Sequence, residues 1–205
     1  MSYASDVAFT PSVKQVQAER GSRRHYAHAA EDEDWPTTVT PNLAAFLAQV
    51  RSFYLATSGA DGQPYIQHRG GPPGFVRVID EKTLGWADYR GNRQYVTTGN
   101  LRDNPRAFIF IMDYANRQRV KLWGTARVVE DDPDLVTRLM PEGYKARPEQ
   151  AVIFTLAAWN PNCPQHIPEL IPVEVVAEAM GRLEARIVEL EAENAALKAG
   201  RPAAS

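Results

Sequence analysis

The hydrophobic period changes near residue 50, and that change decides what fold the chain can take. Before it, Leu43, Phe46, Leu47 and Val50 fall at i, i+3, i+4 and i+7, one face of a helix. Thr40 is placed to cap that helix and Pro41 suits its first position. Beyond it, short apolar segments alternate with turn residues. Phe53–Gly59 is followed by ADGQP, and Pro64–Gly71 stops at PPG. Phe75–Asp80 and Thr83–Tyr89 flank the turn residues Asp80 to Lys82. Ala107–Tyr114, Val120–Glu130 and Ala151–Trp159 complete the series. Short strands with hairpin-length turns predict an antiparallel barrel or sandwich. Parallel strands would need a long crossover, usually helical, between each pair. One helix-like piece, about Arg93 to Asn104, and a short helix opened by Asp132 and Pro133 interrupt the strands.

The two ends read differently. Near the N-terminus, Thr10 and Pro11 open a short helix that Gly21 can end. GSRRHYAHAAEDEDW then reads as an arm rather than a core element. At the other end, Val176, Met180, Leu183, Ile187, Leu190, Asn194 and Leu197 are spaced 4-3-4-3-4-3. That is a heptad seam with Met180, Ile187 and Asn194 at a and the rest at d. The arrangement predicts three parts: an arm over 1–36, a barrel over 37–171 and a coiled-coil-like helix over 172–205. Gly200–Ser205 reads as a frayed end.

Charge and cysteine content remove several function classes. Of 205 residues, 23 are basic and 25 acidic, a net charge of −2, so no basic excess points to nucleic acid or an anionic membrane. One cysteine excludes an internal disulfide and a four-cysteine metal site. The first residues carry no signal-peptide pattern and no apolar run spans a bilayer, which makes the cytoplasm the expected location. GxSxG, P-loop, HExxH and strand-linked GxGxxG motifs do not occur. His25 and His28, three residues apart on the arm, are too few to hold a metal and read as solvated.

A polar, cationic set remains at the strand ends. QHRGG supplies Gln67, His68 and Arg69, then Gly70 and Gly71, where a backbone could come close to a ligand. DYRGNRQ, Asp88 to Gln94, follows a strand and opens a helix, offering Arg90, Asn92, Arg93, Gln94 and helix-start N–H groups to a phosphate. Alternation puts Arg119, Lys121 and Trp123 on one side of their strand. Three separated cationic segments fit a phosphorylated aromatic ligand; the competing reading is a charged, solvated outer face.

These stretches carry a resemblance. QHRGG, LGWADYRGNRQYVTTGNLRDNPRAFIFIMDY, RVKLWGTARVV and WNPNCPQHIP resemble the pyridoxamine 5′-phosphate oxidase-like FMN-binding split barrels over about two-thirds of the chain. The resemblance implies a mainly β (α+β) fold: an antiparallel split β-barrel with flanking helices and, here, the long C-terminal heptad helix. It implies a homodimer with two FMN sites at the subunit interface. By position, Gln67, His68, Arg69 and Gly70 match the second strand lining the flavin. Trp86, Ala87 and Asp88 match the strand end beside phosphate and ring. Asn92, Arg93 and Gln94 match the phosphate-gripping turn. Arg119 and Lys121 match the strand that crosses from the partner subunit.

The pattern departs at its end. Pyridoxamine 5′-phosphate oxidases close with a Trp- and Arg-bearing strand that holds the vitamin phosphate. This chain runs instead through NCPQHIPELIP into the heptad helix. The resemblance therefore implies an FMN-dependent oxidoreductase acting on a small molecule and does not carry vitamin B6 oxidation. A non-catalytic flavin carrier or redox sensor, and a barrel holding haem or a deazaflavin, are the rival readings. No residue of the set stands out as a general acid or base, and His68 is the least poor candidate. Cys163 and His166 read as a packed loop at the dimer interface, fixed by Pro161, Pro164 and Pro168, rather than as an activated thiolate. Trp123 and Trp159 read as core or flavin-wall residues.

Overall fold

The computed structural model describes residues 3–162 and 165–199. The chain divides into two compact units, Met1–Asp113 with Gln118–Gln165, and Tyr114–Arg117 with His166–Ser205. Cys163 and the Gly200–Ser205 end lie outside the described residues.

The first unit is built on one antiparallel sheet of seven strands: β1 (Ser52–Ser58), β2 (Pro64–Gly70), β3 (Arg77–Val78), β4 (Thr83–Tyr89), β5 (Arg106–Asp113), β6 (Gln118–Val129) and β7 (Pro148–Asn162). Their order is β2-β1-β5-β6-β7-β4-β3. The sheet is open in its hydrogen bonding but curled on itself. Phe53 of β1 and Trp86 of β4, four places apart in that order, meet edge to face with ring centroids 5.0 Å apart. Both are fully buried, with Phe75, Leu55, Leu84, Leu122 and Phe154 around them. The helix α3 (Pro41–Gln49) adds Leu43 and Leu47 to this core, and its Thr40 cap accepts from Leu43 N–H at 3.3 Å.

Two strand expectations shift. Phe75–Asp80 contributes only the two residues of β3, because Phe75 and Val76 turn into the core instead of extending the ladder. β7 is longer than its apolar run, since Pro148 to Gln150 pair with the end of β4. β6 carries a register shift between Trp123 and Gly124. A Cβ on Gly124 would press into the Thr155 carbonyl oxygen and come within 2.8 Å of the Phe154 ring, so only glycine fits there.

The N-terminal segment lies in the same unit as the barrel. α1 (Pro11–Glu19) starts at the expected Thr10 cap, and α2 (Arg23–Asp32), which buries no residue, occupies the stretch read as an arm. A short 3₁₀ turn, Ala4–Val7, hands its backbone N–H groups at Ala4 and Ser5 to the Asp34 carboxylate. Trp35 stacks on Trp123 at 4.8 Å, and Phe9 meets Trp35 edge to face. The arm therefore covers part of the outer sheet face.

The short helix opened by Asp132 and Pro133 is α5 (Pro133–Leu139). The second unit holds α6 (Val173–Ala199), in which no residue is buried. Among the described residues no helix is long and apolar enough to cross a membrane.

Candidate functional site

The site forms where the curled sheet leaves its edges unpaired. On β4, Leu84 and Trp86 point into the main core, and alternation carries Asp88 to the same side at the strand end. On β2, Gln67 and Arg69 point inward, and Arg69 meets it. Arg69 Nη1 lies 2.6 Å from Asp88 Oδ1, joining β2 to β4 across the seam. Gln150, at the start of β7, donates to Asp88 at 2.9 Å and to the Thr98 hydroxyl at 3.1 Å. Thr97 donates to Gln67 at 2.7 Å. Both threonines belong to the first turn of α4 (Val96–Asp103), so this network seats the helix N-terminus over the seam. Burial pushes the Asp88 carboxyl up, and the Arg69 guanidinium only partly offsets it. Arg69 Nε is buried with no partner.

The loop from β4 to α4 is strained. Arg93 and Tyr95 both hold the left-handed region, at φ 61° and 52°. That is why α4 begins at Val96 and not at Arg93, as the sequence spacing predicts. Asn92 closes a local turn by accepting from Gln94 N–H at 3.2 Å. Arg93 donates to the Tyr95 hydroxyl at 3.0 Å, which keeps its guanidinium firmly charged, and Tyr95 reaches Glu149 at 3.5 Å. Arg90 also pairs with Glu149, at 3.7 Å. Gln67, Arg69, Asp88, Asn92 and Arg93 line one cavity. A larger adjoining cleft of about 590 Å³ shares Tyr95, Thr98, Glu149 and Gln150 with it.

The structure does not bring all twelve expected residues together. His68 faces the opposite side of β2 and meets Tyr54 at 5.7 Å, because adjacent residues on a strand cannot share a face. Trp86 is in the main core, and Ala87 packs with Leu139, Ala151 and Ile153 on the other side of β4. Gln94 is exposed and does not line the cavity. Gly70 is half-buried at the end of β2 and a Cβ there would crowd His68, while one on Gly71 would strike the Phe75 ring. The glycines answer to packing within the chain. Arg119 and Lys121 lie on the outward face of β6, where Lys121 sits 5.5 Å from the Trp123 ring centroid. Burial, with help from Arg119, lowers the Lys121 ammonium. Within one chain neither residue joins the Arg69–Arg93 cavity. Sequence reasoning missed Thr97, Thr98, Glu149 and Gln150; the only trace of Gln150 is a polar residue abutting a continuous apolar run. His166 has a left-handed backbone at φ 61°. Among the described residues no cluster of His, Cys, Asp and Glu could hold a metal ion.

An antiparallel sheet curled around one core, with a polar seam capped by a helix start, defines the class: a split β-barrel. The family model described as pyridoxamine 5′-phosphate oxidase matches residues 39–175, and the chain belongs to that family. Group A Streptococcus HupZ superposes with a TM-score of 0.50 at 19% identity, covering 64% of this chain and 98% of its own. An FMN-binding protein from Syntrophomonas wolfei subsp. wolfei gives 0.49 at 11% identity, over 71% and 97%. The haem storage protein HutZ from Vibrio cholerae gives 0.39 at 15% identity, over 58% and 89%. No curated protein sequence matches the chain significantly.

Proposed function

We propose that the chain binds FMN at the β2–β4 seam and serves as an FMN-dependent oxidoreductase for a small molecule. The observation that carries this reading is the cavity itself. Two left-handed residues hold Asn92 and Arg93 in a loop beside Arg69, whose buried Nε lacks a partner. Strain of this kind persists where the surrounding structure over-determines it, and it clusters at active sites and ligand clamps. A phosphomonoester fits these donors: guanidinium and amide N–H groups together with the N-terminal end of α4. The adjoining cleft falls in the size range of ligand pockets, roughly 300–1,000 Å³.

The residues divide their work. Arg93 and Asn92 bind the phosphate. Asp88 and Gln150 fix the position of Arg69 and, through Thr98, of α4. FMN, when bound, supplies hydride or single-electron transfer at its ring. His68 points away from this cavity and does not act as acid or base in its own chain's site.

Charge supports a homodimer with shared sites. The charges lining the cavity, Arg69 and Arg93 against Asp88 and Glu149, cancel. A phosphomonoester carries about −1.5 to −2 at pH 7. Arg119 and Lys121 of a second copy, on the outward face of β6, would supply the missing cations. That face also exposes Tyr54 and Ile66 on neighbouring strands, an apolar patch suited to a partner.

Titrating the flavin-free protein with FMN and following flavin fluorescence tests the reading. Saturable one-to-one binding per chain, with FAD much weaker, is expected. Absence of saturable binding overturns it.

A further inference from the structure

We propose that α6 pairs with α6 of a second copy as a parallel, two-stranded coiled coil. The helix runs 27 residues, about 40 Å at 1.5 Å per residue. Within its own unit the stripe of large apolar residues is uncovered: Leu183 is 65% exposed, Ile187 54% and Leu197 70%, and Val173 extends the seam one position earlier. A continuous apolar stripe of this length in water marks an interaction surface.

The spacing and charges name the occupant. Val173, Met180, Ile187 and Asn194 occupy a; Val176, Leu183, Leu190 and Leu197 occupy d. A β-branched residue at a with leucine at d, as Ile187 has on both sides, favours two strands. The flanks select the direction. In a parallel pair Arg186 at g faces Glu191 at e of the partner, and Glu193 at g faces Lys198 at e. An antiparallel pair sets e against e and g against g, so its Arg186–Glu193 attraction is cancelled by Glu184 facing Glu191, whereas both parallel flank pairs attract. Asn194 agrees: its amide donates to its own Leu190 carbonyl at 2.9 Å, and only in a parallel, in-register pair does it also meet its copy. Ion pairs within the helix, Arg182 with Glu178 at 2.6 Å and Arg186 with Glu189 at 2.8 Å, stiffen it before pairing. Under four heptads is short, so barrel association would raise the local concentration.

Cysteine cross-linking in the full chain tests this, with Cys163→Ser as background. Leu190→Cys on the seam is compared with Val188→Cys at the outward b position. Under mild oxidation Leu190→Cys should cross-link at least about tenfold faster, since only seam positions bring Cβ atoms within disulfide reach. Glu191→Lys added to Leu190→Cys should slow the reaction, and Arg186→Glu added to both should restore it. Equal rates at 188 and 190, a chain that stays monomeric on a non-reducing gel, or a charge swap without recovery would overturn the proposal. Flavin binding is read separately, so failure here and failure of the FMN reading are distinguishable.

Discussion

Arg69 on β2 and Asp88 on β4 close the seam of the barrel with one ion pair, 2.6 Å long, their side chains only 13% and 10% exposed. No backbone hydrogen bond joins these strands, so the pair does what a ladder does elsewhere. Breaking it should be costly and asymmetric. Asp88→Asn leaves a guanidinium that cannot lose its charge, at about 3–5 kcal/mol. Arg69→Met should cost less, because a carboxyl can take up a proton. Urea unfolding of both single variants and of the double variant should give a double-variant loss smaller than the sum.

The same pair fixes a pH dependence. Burial raises the Asp88 carboxyl above 3.8 in the folded chain. The folded state therefore binds this proton before the unfolded state does. The associated stability is fully present below 3.8 and is lost as pH rises through the folded value. Wild type should gain on the Arg69→Met/Asp88→Asn double variant as pH falls toward 4. A constant difference between pH 7 and pH 4 would contradict this.

Arg93 separates binding from backbone strain. Arg93→Ala should weaken FMN binding on the order of tenfold to a hundredfold, the scale of one charge-assisted hydrogen bond, with the fold retained. Arg93→Gly should weaken binding similarly and also raise the melting temperature of the flavin-free protein, because glycine relaxes at φ 61°. Unchanged FMN affinity in both variants would show that the phosphate lies elsewhere.

Gly124 should tolerate no side chain. Gly124→Ala drives a methyl into the Thr155 backbone and the Phe154 ring. Overpacking of this kind costs about 1–3 kcal/mol when side chains can yield, and here backbone is in the way. Thermal melts should place this variant well below wild type; an equal melting temperature would mean that the β6–β7 shift is adjustable.

Asp34 latches the Ala4–Val7 turn. Burial pushes its carboxyl up, but backbone N–H groups of Trp35, Ala4 and Ser5 outweigh that and hold it below 3.8. The latch should thus be complete above 3.8 and fail as pH falls through the lower folded value. Asp34→Ala should open the Ala4–Val7 turn to limited proteolysis at neutral pH, while wild type resists.

Much of the fold was legible because burial leaves a period in the sequence. β4 falls on its expected bounds, and the caps at Thr10, Thr40 and Asp132 hold the helices that they announce. Phe75–Asp80 misled because an apolar run marks burial without saying that the backbone pairs. The site was legible only in part. Gln67, Arg69, Asp88, Asn92 and Arg93 stand together because strand ends converge at the seam. His68 groups with Gln67 and Arg69 in sequence, but alternation sends it outward. Gln150, Thr97 and Thr98 come from elements remote in sequence, and no local pattern marks a polar side chain whose partner is 62 residues away.

Identification of the bound chromophore bears most directly on the account. The protein is purified, saturated with a mixture of FMN, FAD, haem and deazaflavin, freed of excess, denatured, and the released ligand is separated chromatographically. FMN alone, near one per chain, is the predicted result. Recovery of FAD, haem or deazaflavin in its place, or of no ligand, would contradict the assignment of the Arg69–Arg93 cavity as an FMN site.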